Sequence, residues 1–326
     1  MNFKELKNLL IKNIKASQKV FLLSHNDIDL DGLGAIIGIS LICKKYKKNT
    51  TFVINDNEYE SGVKKALENL KEINIKKKED INIDEKSLVI IADTNKTNLV
   101  CLDKELTKEN TIIIDHHKKN SNTIKSNKIF IDETSSTCEI VVDLLKSLRI
   151  KVPKKYATIL LSGIYLDTND FTIRTSKTTF DTASYLLSIG ASINDVSYLL
   201  KQDIKRYIKT AKMLGNIETL KNNIAITTAS NKEIYKKEEI ASMADTLLDF
   251  ENINTSFVIG RINDDEISIS ARSISKLDVG KIMEKLDGGG SKNEAATKLK
   301  LKSVKEAEKM LKNILDKEWY YGSNLY

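Results

Sequence analysis

Runs of consecutive apolar residues alternate, in the first half of the chain, with stretches that are apolar at i, i+3 and i+4. QKVFLLSH (18–25), TFVIND (51–56), SLVIIAD (87–93) and NTIIIDHH (110–117) read as strands. Runs such as FLL, VII and III are apolar at successive positions, which suits strands buried on both faces. DGLGAIIGISLICKKYKK (31–48) and a segment near 58–70 read as the intervening helices. Strand and helix in alternation predict an α/β domain with a parallel, doubly wound sheet. A helical block follows in SSTCEIVVDLLKSL (135–148), KYATILLSGIYLD (155–167) and TTFDTASYLLSIG (178–190), where Gly190 supplies a helix stop. Further helices are expected near 193–219.

The second half has a different rhythm. NNIAITTA (222–229), TSFVIGRIN (255–263) and DEISISARS (265–273) read as strands, the last two joined as a hairpin through a short turn at Asn263–Asp264. Helices are expected at about 233–249, 278–286 and 303–317. The pattern predicts a smaller α+β domain. With a boundary around 190–205 and no glycine-rich tether, the two domains would span 1–195 and 206–326. The final WYYGSNLY reads as a frayed or lightly packed tail.

Composition narrows the class. The 326 residues are 41% hydrophobic and 30% charged, which argues against intrinsic disorder, and at about 150 residues per domain they suggest two domains. Pro153 is the one proline, so no proline-rich linker exists. No apolar run approaches the roughly 18–20 residues of a membrane helix, and MNFKELKNLLIKNIK lacks the apolar stretch of a secretory signal. Cys43, Cys101 and Cys138 form no CxxC motif and read as free thiols in a reducing cytoplasm. The net charge of +7 rests on 52 Lys and Arg against 45 Asp and Glu, with arginine confined to Arg149, Arg174, Arg206, Arg261 and Arg272. Dispersed lysine permits an anionic partner without demanding one. Aromatic residues are 6% and do not interleave with basic ones, which disfavours a nucleic-acid-binding module built on stacking platforms.

The chemistry gathers where strands stop. The strand at 18–25 runs into Ser24-His25 and on to Asp29 and Asp31, that at 87–93 ends at Asp93, and that at 110–117 ends at Asp115-His116-His117. These three segments hold every histidine of the chain. In open α/β sheets ligands bind outside the carboxyl ends of the strands, so His25, Asp29, Asp31, Asp93, His116 and His117 are expected in one crevice. Carboxylates packed this closely raise one another's pKa, and divalent cations relieve the conflict. Mixed His and carboxylate ligands suit Mn²⁺, Fe²⁺, Co²⁺ or Zn²⁺ better than Ca²⁺. The carboxylate count suffices for two ions with one aspartate shared. Asp167, closing a buried helical run, is a further acid in need of a partner.

These residues resemble those of the DHH phosphoesterases. HNDIDLDGLG fits the opening HxxxDxD motif, IADT the second, IDHH the third and LSGIYLDTNDF the fourth. SISARS (268–273) and LDGGGS (286–291) resemble the DHH-associated C-terminal domain. Four motifs in the right order make the likeness specific, and it covers nearly the whole chain. Within the family, FTIRTSKTTFDTASYL, IASMADTLL and SFVIGRINDDEISISARS resemble the catalytic region of GdpP-type cyclic-di-AMP phosphodiesterases, in a stand-alone cytosolic form.

The resemblance implies a DHH catalytic domain and a substrate-binding C-terminal domain, with the active site in a cleft between them. It implies two Mn²⁺ ions: His25 and Asp29 on the first, Asp93 bridging, and Asp31, His116 and Asp167 on the second. Asp115 would orient its neighbours and His117 would face the substrate phosphate. Arg272, Arg174 and the Gly288-Gly289-Gly290-Ser291 segment would hold the substrate, the glycines ahead of a helix N-terminus that favours an anion. Ser291 stands where the family usually has histidine, so it brings a hydroxyl in place of an imidazole. The implied reaction opens cyclic di-AMP to linear pApA by in-line attack of a hydroxide held between the ions. The alternative is an oligoribonuclease-like hydrolase cutting pApA or very short RNA to mononucleotides. An inorganic pyrophosphatase fits less well, lacking the glycine element. A non-catalytic nucleotide sensor would have no need of so full a ligand set. The expected partners are a cyclic dinucleotide or short oligonucleotide, with neither duplex nucleic acid nor membrane, and a homodimer is left open.

Overall fold

A computed structural model describes residues 1–54, 59–102, 106–119, 121–201 and 204–322. The chain divides into two compact units, Met1–Lys201 and Gln202–Tyr326. The end of the expected strand at Asn55–Asp56, the start of the expected helix at Glu58 and the last residues 323–326 lie outside the described residues.

The first unit begins with α1 (Phe3–Ala16), whose N-terminus is closed by a reciprocal capping box between Asn2 and Glu5. There follow β1 (Lys19–Leu23), α2 (Leu30–Lys45), β2 (Thr50–Val53), α3 (Ser61–Glu68), β3 (Ile75–Lys76), β4 (Ser87–Ala92), β5 (Thr111–Asp115) and β6 (Ile129–Ile131). Four helices complete it: α4 (Thr137–Ser147), α5 (Lys154–Asp167), α6 (Lys177–Ser188) and α7 (Ile193–Leu199). The strands form one sheet in the order β3-β2-β1-β4-β5-β6, and every pairing is parallel. The two-sided burial explains the consecutive apolar runs. Val20, Leu22, Leu88, Ile90, Ile112 and Ile114 face a core shared with α1, α2, α4 and α5. Phe21, Leu23, Val89, Ile91 and Ile113 face the other side, covered by Val100, Leu102 and Ile124 from connecting segments. Strand order reverses between β1 and β4, which is the switch point where a crevice opens at the carboxyl ends.

The second unit comprises α8 (Ile204–Leu214), β7 (Glu218–Leu220), β8 (Ile224–Thr228), α9 (Lys237–Leu248), β9 (Thr255–Arg261), β10 (Ile267–Ser273), α10 (Val279–Glu284), β11 (Gly289–Gly290), β12 (Glu294–Leu299) and α11 (Val304–Gly322). Its sheet runs β11-β12-β10-β9-β8-β7, with β8 and β9 parallel and the other pairs antiparallel. Met213, Ile240, Ala244, Leu247 and Val258 fill one face, and Phe257, Ile259, Ile269, Ile282 and Leu311 the other.

Several local expectations need correction. Glu218–Leu220 is an edge strand, not the end of a helix. The β9–β10 hairpin pairs Arg261 with Ile267, so five residues bridge it where two had been expected. No helix begins after the glycine segment: Gly289–Gly290 pairs with β12, which leaves no helix N-terminus there to attract an anion. Gly290 has φ +152°, and a Cβ there would fall 2.3 Å from the Glu294 carbonyl oxygen, so the sheet itself requires this glycine. α11 runs on through Trp319–Gly322, where a tail had been expected.

Close helix packing also sets the site. A Cβ on Gly163 of α5 would lie 2.7 Å from the Asp31 Cα and 2.7 Å from the Cys138 Sγ. Gly163→Ala is therefore expected to wedge α5 away from α2, costing about 1–3 kcal/mol and separating Asp31 from Asp167. Chemical denaturation and metal titration of the variant check this.

Candidate metal centre

The carboxyl ends of β1, β4 and β5 bring their polar residues to one place. His25 follows β1, and its Nε2 lies 3.7 Å from Asp29 Oδ2 and 3.5 Å from Asp93 Oδ2. Asp29 is the N-cap of α2: its Oδ1 accepts from the N–H groups of Asp31 and Gly32, both at 2.9 Å, which leaves Oδ2 toward His25. Asp93 leaves β4 with φ +64°, a left-handed conformation that aspartate tolerates better than most residues. His116 follows β5, with Nε2 3.0 Å from Asp167 Oδ2 and 3.5 Å from Asp93 Oδ1. Asp167 closes α5.

Three overlapping groups of ligand atoms result, each within 4.8 Å: His25, Asp29 and Asp93; Asp31, Asp93, His116 and Asp167; Asp93, Asp115, His116 and His117. Asp93 belongs to all three. All eight residues named from the sequence for this centre are thus brought together. Arg174 lies beside it, donating from Nη2 to the Asp167 carbonyl oxygen at 3.0 Å.

Electrostatics show the strain of gathering these groups. Burial and the nearby Asp31 charge hold the Asp93 carboxyl well above the ordinary carboxylate range. Burial and Asp31 likewise push Asp167 up to about 6. Burial alone would lower His25, but Asp29 and Asp93 outweigh it and raise the imidazole to about 11. Burial opposes ionisation of Asp29, yet His25 and the N–H groups of Gly32 and Asp31 bring its carboxyl below the usual value.

The fit to cations rests on His116. Its Nδ1 lies 3.4 Å from the Thr134 carbonyl oxygen, which selects the tautomer with a lone pair on Nε2. Among the described residues Nε2 is buried without a properly oriented hydrogen bond, although carboxylate oxygens stand on two sides. An imidazole lone pair facing carboxylates that repel one another is completed by a divalent cation.

Three supporting residues escaped the sequence reading. Asn95 Nδ2 donates to Asp115 Oδ2 at 2.6 Å and to the His117 carbonyl oxygen at 2.9 Å. The other Asp115 oxygen accepts from the His117 backbone N–H at 3.1 Å and lies 2.9 Å from its Nδ1, so this buried acid fixes the half-exposed His117 ring. Thr137 and Cys138 open α4, and their N–H groups each donate to one oxygen of Asp31 at 2.8 Å. The Thr137 hydroxyl donates to Asp93 Oδ1 at 3.0 Å. SSTCE carries the Ser136 N-cap signal, so a helix start was visible there; its aim at Asp31 was not.

The remaining named residues lie in the second unit. Arg272, Gly288, Gly289 and Gly290 line a groove of about 640 Å³ together with Lys237 and Lys298. Arg272 Nε is already bonded to Asp245 Oδ1 at 2.6 Å. Ser291 is not among the groove residues; its hydroxyl accepts from the N–H groups of Asn293 and Glu294, holding the turn into β12.

Comparison with known proteins gives the family. The model of the DHH family, N-terminal domain, matches residues 19–164, and that of the DHHA1 domain matches residues 221–317. The chain belongs to the DHH family. It is 36% identical over 320 residues to the cyclic-di-AMP phosphodiesterase PdeA of Listeria monocytogenes, covering 94% of this chain and 48% of that protein. It is 35% identical over 323 residues to the cyclic-di-AMP phosphodiesterase GdpP of Bacillus subtilis, covering 95% and 49%. The chain therefore spans about half the length of these two relatives. An uncharacterized protein of Methanocaldococcus jannaschii is 30% identical over 327 residues, and 94% of each chain is covered. Among solved structures, an exopolyphosphatase-related protein from Bacteroides fragilis shares the fold with a TM-score of 0.75, at 21% identity over 97% of this chain and 96% of that one. Among the described residues no helix is long and apolar enough to cross a membrane.

Proposed function

We propose that this DHH-family chain is a manganese-dependent phosphodiesterase that opens cyclic di-AMP to linear pApA. The observation that carries the reading is the sharing of Asp93 among three groups of His and Asp ligand atoms at the switch point of the sheet. The similarity to PdeA and GdpP supports the cyclic dinucleotide as substrate.

His25 and Asp29 would hold one cation and Asp31, His116 and Asp167 a second, with Asp93 common to both. The cations supply Lewis-acid activation of water and neutralise charge on the phosphoryl oxygens. The protein's own part is to fix and to exclude. Asp115, held by Asn95, fixes the His117 ring through Nδ1 and would steady its doubly protonated form, in which Nε2–H would face a phosphoryl oxygen. Thr137 keeps Asp93 turned toward the other ligands. Arg174 and the groove lined by Arg272 and Gly288–Gly290 are the proposed contacts of the dinucleotide; Ser291 would act through the turn it holds.

The test offers the Mn²⁺-loaded protein cyclic di-AMP, pApA and a short RNA series, with products separated by chromatography. Faster turnover of cyclic di-AMP, ending at pApA, is the expected result. A preference for pApA would transfer the assignment to an oligoribonuclease-like hydrolase, and no turnover of any substrate would leave a nucleotide sensor. In parallel, Mn²⁺ at about one hundred times its dissociation constant should stabilise the fold by about 2.7 kcal/mol, read as a thermal shift.

A further inference from the structure

The segment after Asp167 is built in an unusual way. Asn169, Asp170 and Phe171 have φ of +44°, +58° and +64°, and Arg174 follows at +49°. Left-handed backbone is costly for a bulky residue such as phenylalanine and persists only where surrounding bonds enforce it. Here they do: the Phe171 N–H donates to Thr168 Oγ1 at 3.1 Å, and the Arg174 guanidinium closes the loop on the Asp167 carbonyl oxygen.

The enforced turn places Phe171 between two other rings. Tyr165 of α5 meets it edge-on at 5.3 Å, and Phe180 of α6 stacks on it at 5.4 Å with an interplanar angle of 24°. Phe180 is 56% exposed, so the stack ends in an open aromatic face. One exposed phenylalanine is ordinary. An exposed ring stacked on the ring of a residue held in a strained turn, one loop from Asp167, needs a reason.

The stack is also tied to the metal centre by a buried carboxyl group that the proposed chemistry leaves unused. Glu139 of α4 is 2% exposed, and its Oε2 accepts from Ser135 Oγ and from Thr179 Oγ1, the latter at 3.0 Å. Thr179 immediately precedes Phe180. The same short segment that reaches Thr179 through Glu139 touches His116 through the Thr134 carbonyl, Asp93 through Thr137 Oγ1 and Asp31 through two N–H groups. One brace therefore sets both the ligand atoms and the ring.

We infer that the open face of Phe180 is a nucleobase-stacking site, where a purine of the nucleotide substrate continues the Phe171–Phe180 stack while its phosphate meets the metal centre. Base stacking on aromatic faces is tolerant of base identity, because every base presents a π-face, and each stacked base adds measurably to affinity. The inference rests on the phosphodiesterase reading for the identity of the substrate, but the stacking site can be tested apart from turnover.

Phe180→Trp retains the face and adds emission. In the Mn²⁺-loaded 326-residue chain, AMP should quench that emission, above the Trp319 background read from the unsubstituted chain, and ribose 5-phosphate should not. Phe180→Leu retains apolar bulk without a π face and should raise KM for cyclic di-AMP by about ten-fold, with a smaller effect on kcat; Phe180→Tyr should restore KM. Equal quenching by AMP and ribose 5-phosphate, or a wild-type KM in Phe180→Leu, overturns the inference and leaves the phosphodiesterase reading intact. Failure of the wild-type protein to turn over any dinucleotide overturns that reading, and the AMP titration still decides the stacking site.

Discussion

Asp93→Asn should abolish turnover and at the same time make the metal-free protein more stable. The carboxylate is the member common to all three ligand groups, so replacing it by an amide removes the charge that two cations would share. A loss of about 10³-fold or more in turnover is expected, together with loss of the Mn²⁺-induced thermal shift. The fold has reason to welcome the change. Asparagine accepts φ +64° readily, and its side-chain oxygen can still accept from Thr137 Oγ1. Burial and the Asp31 charge raise the Asp93 pKa in the folded protein. The folded apoprotein therefore binds a proton here that the unfolded chain has released. The stability from that proton is full below the unfolded value of about 3.9 and is lost as pH rises through the folded value. Asp93→Asn removes this loss, and a gain of about 1–2 kcal/mol at neutral pH is expected. Urea denaturation of chelator-treated proteins across pH measures it; an equal or lower stability in the variant would show that the carboxylate is already relieved by the histidines around it.

The same balance explains what could be read from the sequence. The two-sided strands announced themselves because β1, β4 and β5 must be apolar at every position when helices cover one face and connecting segments the other. Their carboxyl ends announced the ligands, since polar residues at the end of a buried strand can only face the crevice. What stayed hidden depends on contacts distant in sequence. β3, β6 and β11 have two or three residues each, too few to show a period. EAATKL in β12 alternates exposed and buried, but alanine and lysine on it carry no strand preference, and pairing with β10 decides the matter. Asn95 and Thr137 are unremarkable as letters; their roles come from the register of β4 against β5 and from the docking of α4 on α2. The glycine segment misled in another way. Its family likeness suggested a cradle before a helix, whereas Gly290 is there because a strand passes too close for a Cβ.

Asp31→Asn removes the same charge from the same cluster and should have the opposite effect on the fold. Asp31 is buried, and each of its oxygens accepts one backbone N–H from the first turn of α4. A carboxylate there satisfies two donors that a helix cannot satisfy internally and sits favourably against the helix dipole. An amide has one acceptor and must turn its NH₂ toward the second N–H. The cost is one charge-assisted bond and one buried donor left facing another, about 2–3 kcal/mol, on top of a loss of turnover comparable with that of Asp93→Asn. Because Asp31 also holds α4 by its N-terminus, the variant should loosen the Thr137 contact to Asp93 and weaken metal binding beyond the loss of one ligand. Denaturation of the two metal-free variants side by side separates the explanations. If charge crowding alone governed the centre, both substitutions would stabilise it; if both residues were structural anchors, both would destabilise it. A gain at Asp93 and a loss at Asp31 is the outcome the bonding predicts, since one carboxylate is aimed at a cation and the other serves a cation and a helix together.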